Sequence, residues 1–487
     1  MATRLLIAAS IASTALALDN GLGLTPALAW SSWNYFNFDI NGTLIREIGA
    51  ALVATGLADL GFRQVNIDAG YLNRNRSATG ELVVNPSKFP RGMRALSDDL
   101  AQKYSLGLGV YTDITNRSCS DIAPNVGGPG SLGHYDQDAA TLKAWNVSYL
   151  KVDMCSVDIG LDPAHQLEHW SALRDALNAT GHPIYYSICP HATVPATGPS
   201  APWATKHVYS PPRSWNKTTR SGLANSLLTE FTNLFDMWYA PHWRSFADPC
   251  PGPRCNSTGP GGLLTNIDAM VVMSKPEYSG VGSWADGDML QVCNYGEGGA
   301  RAGSGNGGMT LREYASSLSI WAILASPIII SADVRKLEAK HPECLAMLLG
   351  SGEIIAISQD ALGKAGVLVH QATNATTSSD SVATTLNIVE QIWARSLVGG
   401  EVAVVLFNRD EVERTMVFTR AMMQHVLESD SVFTVRDAWA RIDVGEVTMH
   451  GGDGGNVSAV VQPHEAKVIV LHHRRGKEGK GAPLIIE

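Results

Sequence analysis

Short apolar runs alternate with longer amphipathic stretches between about residue 25 and residue 360. A strand followed by a helix, repeated along the chain, predicts a parallel sheet, and runs that are apolar throughout predict burial on both faces. Eight such units fit a (β/α)8 barrel, so the predicted fold class is α/β with a TIM barrel. The clearest predicted strands are residues 64–68, 106–111, 149–153, 184–188 and 327–331.

The stretch from 43 to 60 shows the helical pattern most clearly. Leu44, Ile48 and Leu52 fall on one face of a helix, and Arg46 and Glu47 fall on the other. This spacing predicts an amphipathic helix whose apolar face packs against the sheet.

Past Asp360 the pattern changes to short strands joined by turn residues, which is typical of an antiparallel β-domain. We predict a C-terminal β-sandwich. The predicted domains are the barrel at 18–363, the β-domain at 364–473 and a basic, Gly-rich flexible tail at 474–487. The predicted strands of the β-domain are residues 366–369, 391–394, 402–407, 431–435 and 467–471.

The N-terminus has one basic residue, Arg4, and then an apolar stretch at 5–17 that ends in Ala15-Leu16-Ala17. These roughly 13 apolar residues are too few for a bilayer core that requires ~20 in a helix, so we predict a signal peptide at 1–17. A buried N-terminal helix is the alternative. We expect the protein to enter the secretory pathway and to be extracellular, vacuolar or lysosomal.

The 487 residues include 37 Lys and Arg against 46 Asp and Glu, a formal net charge of −9, and 45% are hydrophobic. Such a chain can bury a full core and is neither disordered nor collagen-like. It has no basic patch outside the tail, so nucleic acid is not an expected partner. A membrane is not expected either, because the most apolar later segment, 319–330, is short and contains Pro327.

Seven cysteines are an odd number for an oxidising compartment, so at least one stays a thiol or bonds between chains. Cys250 and Cys255 can close a short local loop, whereas a zinc site lacks a second Cys/His pair at finger spacing. Counts alone leave the pairing open. Nine Asn-x-Ser/Thr sequons predict a glycoprotein, and they begin at Asn41, Asn75, Asn116, Asn146, Asn178, Asn216, Asn256, Asn374 and Asn456.

Carboxylates follow several predicted strands. Asp68, Asp113 and Asp153 each come at a strand end, and Asp248 closes a further candidate strand. One such residue is more often a helix cap than a catalyst, but catalytic side chains of a barrel gather at this rim. Two carboxylates facing each other across the barrel mouth are what glycoside hydrolysis requires.

Other side chains near these positions suit a sugar. Lys151 lies two residues before Asp153, on the same face of its strand, where its charge favours the ionised Asp153. A structural ion pair that fills the barrel is the alternative. Aromatic rings that would offer apolar faces to a sugar are those of Trp30, Trp33, Tyr111, Trp243 and Trp284.

The chain resembles glycoside hydrolase family 27, the melibiase or α-galactosidase family, in six motifs that occur in order across both predicted domains. The resemblance implies a secreted α-galactosidase that acts on oligosaccharides or glycoconjugates. The motifs are LDNGLGLTPALAW at 18–30, YLKVDMC at 149–155, HWRSFAD at 242–248, GSWADGDM at 282–289, WAILASP at 321–327 and ISQDALGK at 357–364.

Carried over by position, the family implies a retaining double displacement with Asp153 as nucleophile and Asp248 as general acid and then base. It implies a disulfide between Cys119 and Cys155 and requires no metal or organic cofactor. The partner it implies is a carbohydrate substrate, and a homodimer is left open. The residues at sugar-binding positions are Trp33, Asp68, Tyr111, Lys151, Arg244 and Met289.

The sequence departs from the family after the second predicted strand. Two adjacent aspartates followed by Cys-Trp are usual there, whereas this chain has Asp68-Ala69-Gly70-Tyr71. In the family that pair accepts hydrogen bonds from O4 and O6 of galactose. Losing one acceptor weakens galactose binding by roughly 1–3 kcal/mol unless another group substitutes. Ala69 therefore favours an alternative substrate of this family that lacks the hydroxymethyl group, a β-L-arabinopyranoside.

The loop after the fifth predicted strand also departs, since Cys189-Pro190-His191 replaces the family's Cys-Glu-Trp or Cys-Asn-Trp. This loop separates galactosidases from α-N-acetylgalactosaminidases, which leaves the latter activity as a further alternative. We expect Cys189 to stay a thiol, because its usual disulfide partner aligns with Ala240. Residues 192–237 are expected to be an insertion near the rim. With these changes, a non-catalytic sugar-binding protein is an alternative of another class.

Overall fold

The computed structural model describes most of the chain. For residues 242–244 it describes the backbone. The described residues are 20–118, 127–156, 158–160, 163–189, 242–244, 263–274, 279–298, 308–377, 384–427, 431–449, 455–474 and 484–486.

Eight parallel strands form one sheet in the order β7-β6-β5-β4-β3-β2-β1-β8. A parallel bridge between Leu290 and Ile330 joins the chain just after β7 to β8 and closes the barrel. The predicted α/β barrel is therefore confirmed. The strands are β1 (Leu28–Ser31), β2 (Gln64–Asn66), β3 (Gly107–Asp113), β4 (Tyr149–Asp153), β5 (Tyr185–Ile188), β6 (His242–Arg244), β7 (Trp284–Asp286) and β8 (Ile328–Ile330).

Helices pack around this sheet. Among the described residues, none of them is long and apolar enough to cross a bilayer. Those in the barrel are α1 (Trp33–Phe36), α2 (Gly42–Ala54), α3 (Gly92–Tyr104), α4 (Tyr135–Ala144), α5 (Pro163–Ala179), α6 (Leu263–Met273), α7 (Leu311–Ile323), α8 (Leu337–Lys340), α9 (Pro342–Gly350) and α10 (Gly352–Ser358).

Helix α2 is the helix that the sequence predicts at 43–60, and it buries Leu44, Ile48 and Leu52 as expected. The side chain of Asn41 caps its first turn by accepting the backbone N–H of Leu44 at 2.9 Å. The helix ends at Ala54, earlier than predicted. Gly56 explains this, because its φ of 83° lies in the left-handed region that ends a helix.

The C-terminal part is a β-sandwich of two sheets, as predicted. A six-stranded sheet has the order β14-β13-β16-β11-β10-β9, and a three-stranded sheet has the order β12-β15-β17. Their facing apolar side chains form a second core, and a short helix, α11 (Arg420–Met423), follows β12. The strands are β9 (Val367–Thr377), β10 (Thr384–Ser396), β11 (Val402–Asn408), β12 (Arg414–Phe418), β13 (Ser431–Asp437), β14 (Ile442–Met449), β15 (Val457–Val461), β16 (Ala466–His473) and β17 (Leu484–Ile486).

Strand β17 corrects the prediction of a flexible tail over 474–487. Residues Leu484–Ile486 pair in parallel with β15, and the side chain of Ile486 is buried in the second core. The physical reason is local. Leu484 and Ile486 remove apolar surface from water by packing on the sandwich core, whereas Ile485 between them remains exposed.

The two domains share a hydrogen-bonded interface. Arg395 of β10 is fully buried and donates to the carbonyl oxygen of Ala322 at 2.8 Å and to that of Ser358 at 3.4 Å. These carbonyls lie in the last turns of α7 and α10, where helices leave acceptors unsatisfied. Arg436 adds an ion pair with Glu353 at 2.6 Å.

Candidate active site

Carboxylates lie at the carboxyl ends of neighbouring strands. Asp113 ends β3 and Asp153 ends β4, and the two are direct partners in the sheet register. Asp68 comes two residues after β2, and Asp286 ends β7. All four are buried. The rim of the barrel therefore holds a concentration of negative charge that has to be compensated locally.

Lys151 provides a positive charge that compensates these carboxylates inside the barrel mouth. Its Nζ lies 2.7 Å from Oδ2 of Asp68 and 3.9 Å from Oδ2 of Asp153. The same ammonium lies 5.3 Å from the centroid of the Tyr111 ring, in cation–π geometry. Strand alternation explains the arrangement, because Lys151 and Asp153 are two residues apart on β4 and share a face.

Asp68 is held in a fixed orientation. Its Oδ1 accepts the backbone N–H of Ala69 at 2.8 Å, and its own backbone N–H donates to Oγ of Ser32 at 3.0 Å. Burial raises the pKa of the Asp68 carboxyl, and the ion pair with Lys151 opposes that shift. The ion pair is thus needed to hold a negative charge at this depth.

A cavity of about 410 Å³, counting its open mouth, lies at this end of the barrel. The residues that line it are Ser31, Asn66, Ile67, Asp68, Tyr149, Lys151, Ser187, Ile188, Cys189, Asp286, Asp288, Met289 and Ile329.

Apolar contacts form another side of the site. Met289 lines the cavity and packs with Ala29 and Ile329, and Trp33 of α1 packs against that group. Asp288, just before Met289, has a φ of 78°, which is unusual for a residue with a side chain. Its Oδ1 accepts the backbone N–H of Met289 at 2.6 Å, and this local bond fixes the turn that presents Met289.

Two tryptophans that the sequence offered as sugar platforms are core residues instead. Trp30 and Trp284 are fully buried. Their indole N–H groups donate to backbone carbonyls, that of Trp30 to Ala332 at 2.8 Å and that of Trp284 to Gly23 at 2.7 Å. The prediction was wrong for these two because sequence alone does not tell an inward ring from one at the rim.

The described residues include part of the predicted site. Asp248 and Cys119 lie outside the described residues, as do Cys250, Cys255, residues 190–191 and residues 192–237. Arg244 and Trp243 belong to β6, which places their backbone on the barrel wall between β5 and β7.

The described cysteines settle some of the pairing that the sequence left open. Cys155 is disulfide-bonded. Cys293 and Cys344 form a disulfide with a Cα–Cα distance of 5.8 Å. Cys189 is a buried thiol, as expected, and it lines the cavity.

Several cavity residues were not singled out from the sequence. Ser31, Asn66, Tyr149 and Ser187 lie on four different strands. Tyr149 opens the motif YLKVDMC, but nothing in the sequence marks it as a cavity residue. Asp286 could have been found by the rule that identified the other strand-end carboxylates. Its strand is only three residues long and carries no apolar run to mark it.

This arrangement can bind a polyhydroxylated ring and attack it. Carboxylates and one ammonium among the described lining residues offer hydrogen-bond acceptors and donors to hydroxyl groups. A buried carboxylate kept ionised by a nearby ammonium is also a competent nucleophile toward an anomeric carbon.

The family model described as "Alpha galactosidase A" matches residues 25–200 and 264–360. The model described as "Alpha galactosidase C-terminal beta sandwich domain" matches residues 390–471. Together these matches cover both domains.

Characterised relatives agree with the family models. The "Alpha-galactosidase 3" of Arabidopsis thaliana is 34% identical over 456 residues, which is 94% of this chain and 84% of the relative. The "Alpha-galactosidase" of Cyamopsis tetragonoloba is 32% identical, with 94% and 88% covered. The crystal structure of alpha-galactosidase I from Mortierella vinacea superimposes with a TM-score of 0.68 at 25% identity, covering 94% of this chain and all of that one.

Proposed function

The chain belongs to the α-galactosidase family, the melibiases of glycoside hydrolase family 27, and from this premise we propose how its site works. The protein is a hydrolase of terminal α-galactosides. We propose that it acts as a retaining enzyme by double displacement, with Asp153 as the nucleophile and Asp248 as the acid and base.

The observation that carries this proposal is the position of Asp153. It ends a barrel strand two residues after Lys151, which lines the cavity and whose ammonium lies 3.9 Å from Oδ2 of Asp153. A nearby cation favours the ionised carboxylate. This position supports the assignment of Asp153 as the group that attacks C1 of the sugar.

The reaction follows from two carboxylates with different tasks. A carboxylate oxygen of Asp153 forms a bond to C1 as the bond from C1 to the leaving oxygen breaks, and Asp248 donates a proton to that oxygen. Asp248 then accepts a proton from water, whose oxygen attacks C1 and releases Asp153. Two inversions give a product with the starting configuration.

Sugar recognition is assigned to the groups around Asp153. The ion-paired Asp68 and Lys151 line the cavity and would accept and donate hydrogen bonds to ring hydroxyls. Met289 and Trp33, with the ring of Tyr111 below Lys151, would contact the apolar face of the ring. Arg244 is assigned a hydroxyl contact from β6.

Steady-state kinetics on an aryl α-galactoside test this proposal. Asp153→Asn keeps the shape of the side chain and removes the nucleophile, so kcat/KM should fall by at least about 10⁴-fold. Asp98→Asn on the outer surface of α3 is the matched control and should behave as the unsubstituted enzyme. Equal activity of Asp153→Asn and the unsubstituted enzyme would rule the assignment out.

The identity of the sugar is a separate question, because Ala69 stands where the family has a second aspartate. Ala69 is buried, and the next residue, Gly70, has a φ of 101° with Phe38 packed where a side chain would begin. This loop is thus built without the family's acceptor. A β-L-arabinopyranosidase is the second candidate on this ground.

Comparing kcat/KM on aryl α-galactoside, aryl β-L-arabinopyranoside and aryl α-N-acetylgalactosaminide decides among the candidates. Galactosidase activity predicts preference for the first substrate. If Ala69 sets the balance, Ala69→Asp shifts the ratio toward galactose by about 5- to 150-fold, the equivalent of one hydrogen bond of roughly 1–3 kcal/mol. Sugar binding without turnover of any of the three would indicate a non-catalytic protein.

We also propose that residues 1–17 are removed during secretion, so that the mature chain begins near Leu18 and consists of the barrel at 18–363, the β-domain at 364–473 and the segment 474–487, which contains β17. The apolar stretch after Arg4 supports this. N-terminal sequencing of the protein recovered from the medium or vacuole of a eukaryotic host tests it. A retained Met1 would contradict it.

A further inference from the structure

Asp113 is a buried carboxylate that the proposed mechanism does not use. It ends β3 and is the direct register partner of Asp153 on β4. Its side chain is fully buried, and both of its carboxylate oxygens accept hydrogen bonds from residues 115 and 155. Asp113 thus lies beside the nucleophile with both oxygens already engaged by the protein.

Every hydrogen bond described for this carboxylate comes from the loops that flank the site. Oδ1 accepts the backbone N–H of Thr115 at 2.8 Å and its hydroxyl at 2.5 Å. Oδ2 accepts the backbone N–H of Cys155 at 2.9 Å. One carboxylate therefore joins the loop after β3 to the loop after β4.

The bond to Cys155 constrains the nucleophile from its C-terminal side. The carbonyl oxygen of Asp153 accepts the backbone N–H of Ile114 at 2.8 Å, and Cys155 is also held by its disulfide. The backbone is thus tied to the end of β3 at residue 153 and again at residue 155. These two hydrogen bonds, at residues 153 and 155, limit rotation of the backbone segment that carries the Asp153 side chain.

We infer that Asp113 is a positioning residue for the nucleophile: through its hydrogen bond to the Cys155 N–H it holds Asp153 at the distance and angle needed to attack C1. This inference rests on the proposed role of Asp153. A displacement of a reacting group by about 1 Å can lower the rate ~10²-fold. The hydrogen bond from Cys155 to Asp113 therefore affects the chemical step without requiring Asp113 to contact the substrate.

The groups around Asp113 are consistent with a buried side chain that holds the backbone in place. The charged or titratable groups that face it are Asp153 at the end of β4 and Tyr135 of α4, whose hydroxyl donates to the Ile114 carbonyl at 3.2 Å. Burial, more than the proximity of Asp153, raises the pKa of Asp113 to about 8. In its protonated form Asp113 can donate to Oγ1 of Thr115, whose hydroxyl then turns toward the carbonyl of Arg117 at 3.4 Å. The tie to Cys155 is kept in both forms.

The test measures covalent labelling of Asp153 by a fluorinated α-galactosyl fluoride, in which a carboxylate oxygen bonds to C1 as fluoride leaves. The variants are Asp113→Ser, which is too short to reach Cys155, and Asp113→Asn, whose amide oxygen can still accept the Cys155 N–H. Thr115→Val is the matched control, since it removes a bond to the same carboxylate on the side away from Asp153.

We expect Asp113→Ser to label at Asp153 about 10- to 100-fold more slowly at saturating reagent, with a reagent Kd within about threefold of that of the unsubstituted enzyme. Asp113→Asn, which keeps the bond to Cys155, and Thr115→Val should both label within about threefold of the unsubstituted rate. Labelling of folded Asp113→Ser at the unsubstituted rate would overturn the inference, and so would an equal loss in Asp113→Asn or in Thr115→Val. If Asp113→Ser does not fold, Asp113 is only structural and the inference is wrong.

The same experiment separates this inference from the proposed function. Peptide mass spectrometry of the labelled, unsubstituted enzyme identifies the modified residue. A label on a residue other than Asp153 would contradict the proposed nucleophile. A label on Asp153 with an unchanged rate in Asp113→Ser would contradict the positioning role alone.

Discussion

Lys151 determines whether the cavity can hold its negative charge. Asp68 and Asp153 are both buried, and burial penalises each ionised carboxyl. The ammonium 2.7 Å from Asp68 and 3.9 Å from Asp153 lowers that penalty for both. The residue therefore links the stability of the barrel mouth to its chemistry.

Replacing Lys151 by Met should damage both properties. The substitution leaves buried carboxylates without their cation, and we expect a loss of about 3–5 kcal/mol in the free energy of unfolding, measured by urea denaturation. Because the nucleophile then lacks the cation that favours its ionised form, kcat/KM on an aryl α-galactoside should fall by at least ~10²-fold. Arg63→Met, which removes an exposed cation paired with the exposed Asp59, is the control and should change neither value appreciably. An active, stable Lys151→Met would refute this view of the site.

The raised pKa of Asp113 predicts a pH dependence of stability. The unfolded carboxyl releases its proton near pH 3.8, whereas the folded one retains it up to about pH 8. In this window the folded state binds more protons, so the free energy of unfolding falls as the pH rises. Asp113→Asn does not titrate, and its Tm should fall less than that of the unsubstituted enzyme between about pH 5 and about pH 7.5. Parallel Tm profiles would show that Asp113 is ionised throughout.

At the scale of elements, the strands that carry the site were predictable where an apolar run ends in aspartate. This pattern located the ends of β3 and β4 and, within two residues, that of β2. It failed for β7, which has three residues and no apolar run, and for β12, β14 and β15, which lack a distinctive pattern. Burial of Trp30 and Trp284 depends on contacts with distant parts of the chain, which local sequence does not contain.

The Cys293–Cys344 disulfide is another feature that cysteine counting could not assign. It ties the segment after β7 to α9 across 51 residues of chain. Constraining a loop of this length in the unfolded state stabilises the fold by about 4 kcal/mol. The double variant Cys293→Ser, Cys344→Ser should unfold at a correspondingly lower urea concentration. An unchanged midpoint would show that the disulfide adds nothing to stability.

At the scale of the whole molecule, the β-domain is tied to the barrel through helix ends. Burial lowers the pKa of Arg395 to about 10, so its guanidinium remains charged at neutral pH. It donates hydrogen bonds from the β-domain to the carbonyls of Ala322 and Ser358 in the barrel. The two domains should therefore unfold together.

Truncation of Arg395 should weaken this coupling. Arg395→Ala removes a donor from the carbonyl of Ser358, at roughly 1–3 kcal/mol, whereas the carbonyl of Ala322 still accepts the backbone N–H of Ala325 at 3.2 Å. We expect a lower Tm in calorimetry and a separation of the single transition into two. The exposed Arg94 of α3 provides the control Arg94→Ala. A single transition at the original Tm for Arg395→Ala would mean that the apolar contacts alone couple the domains.

The central claim is that Asp153 attacks the sugar and that the enzyme retains configuration. Asp153→Gly removes the nucleophile and leaves space for azide to attack C1 directly, in a single inversion. With an activated aryl α-galactoside and azide, NMR spectroscopy of the product should show β-galactosyl azide. Formation of α-galactosyl azide, or turnover of Asp153→Gly without azide at the unsubstituted rate, would contradict the account.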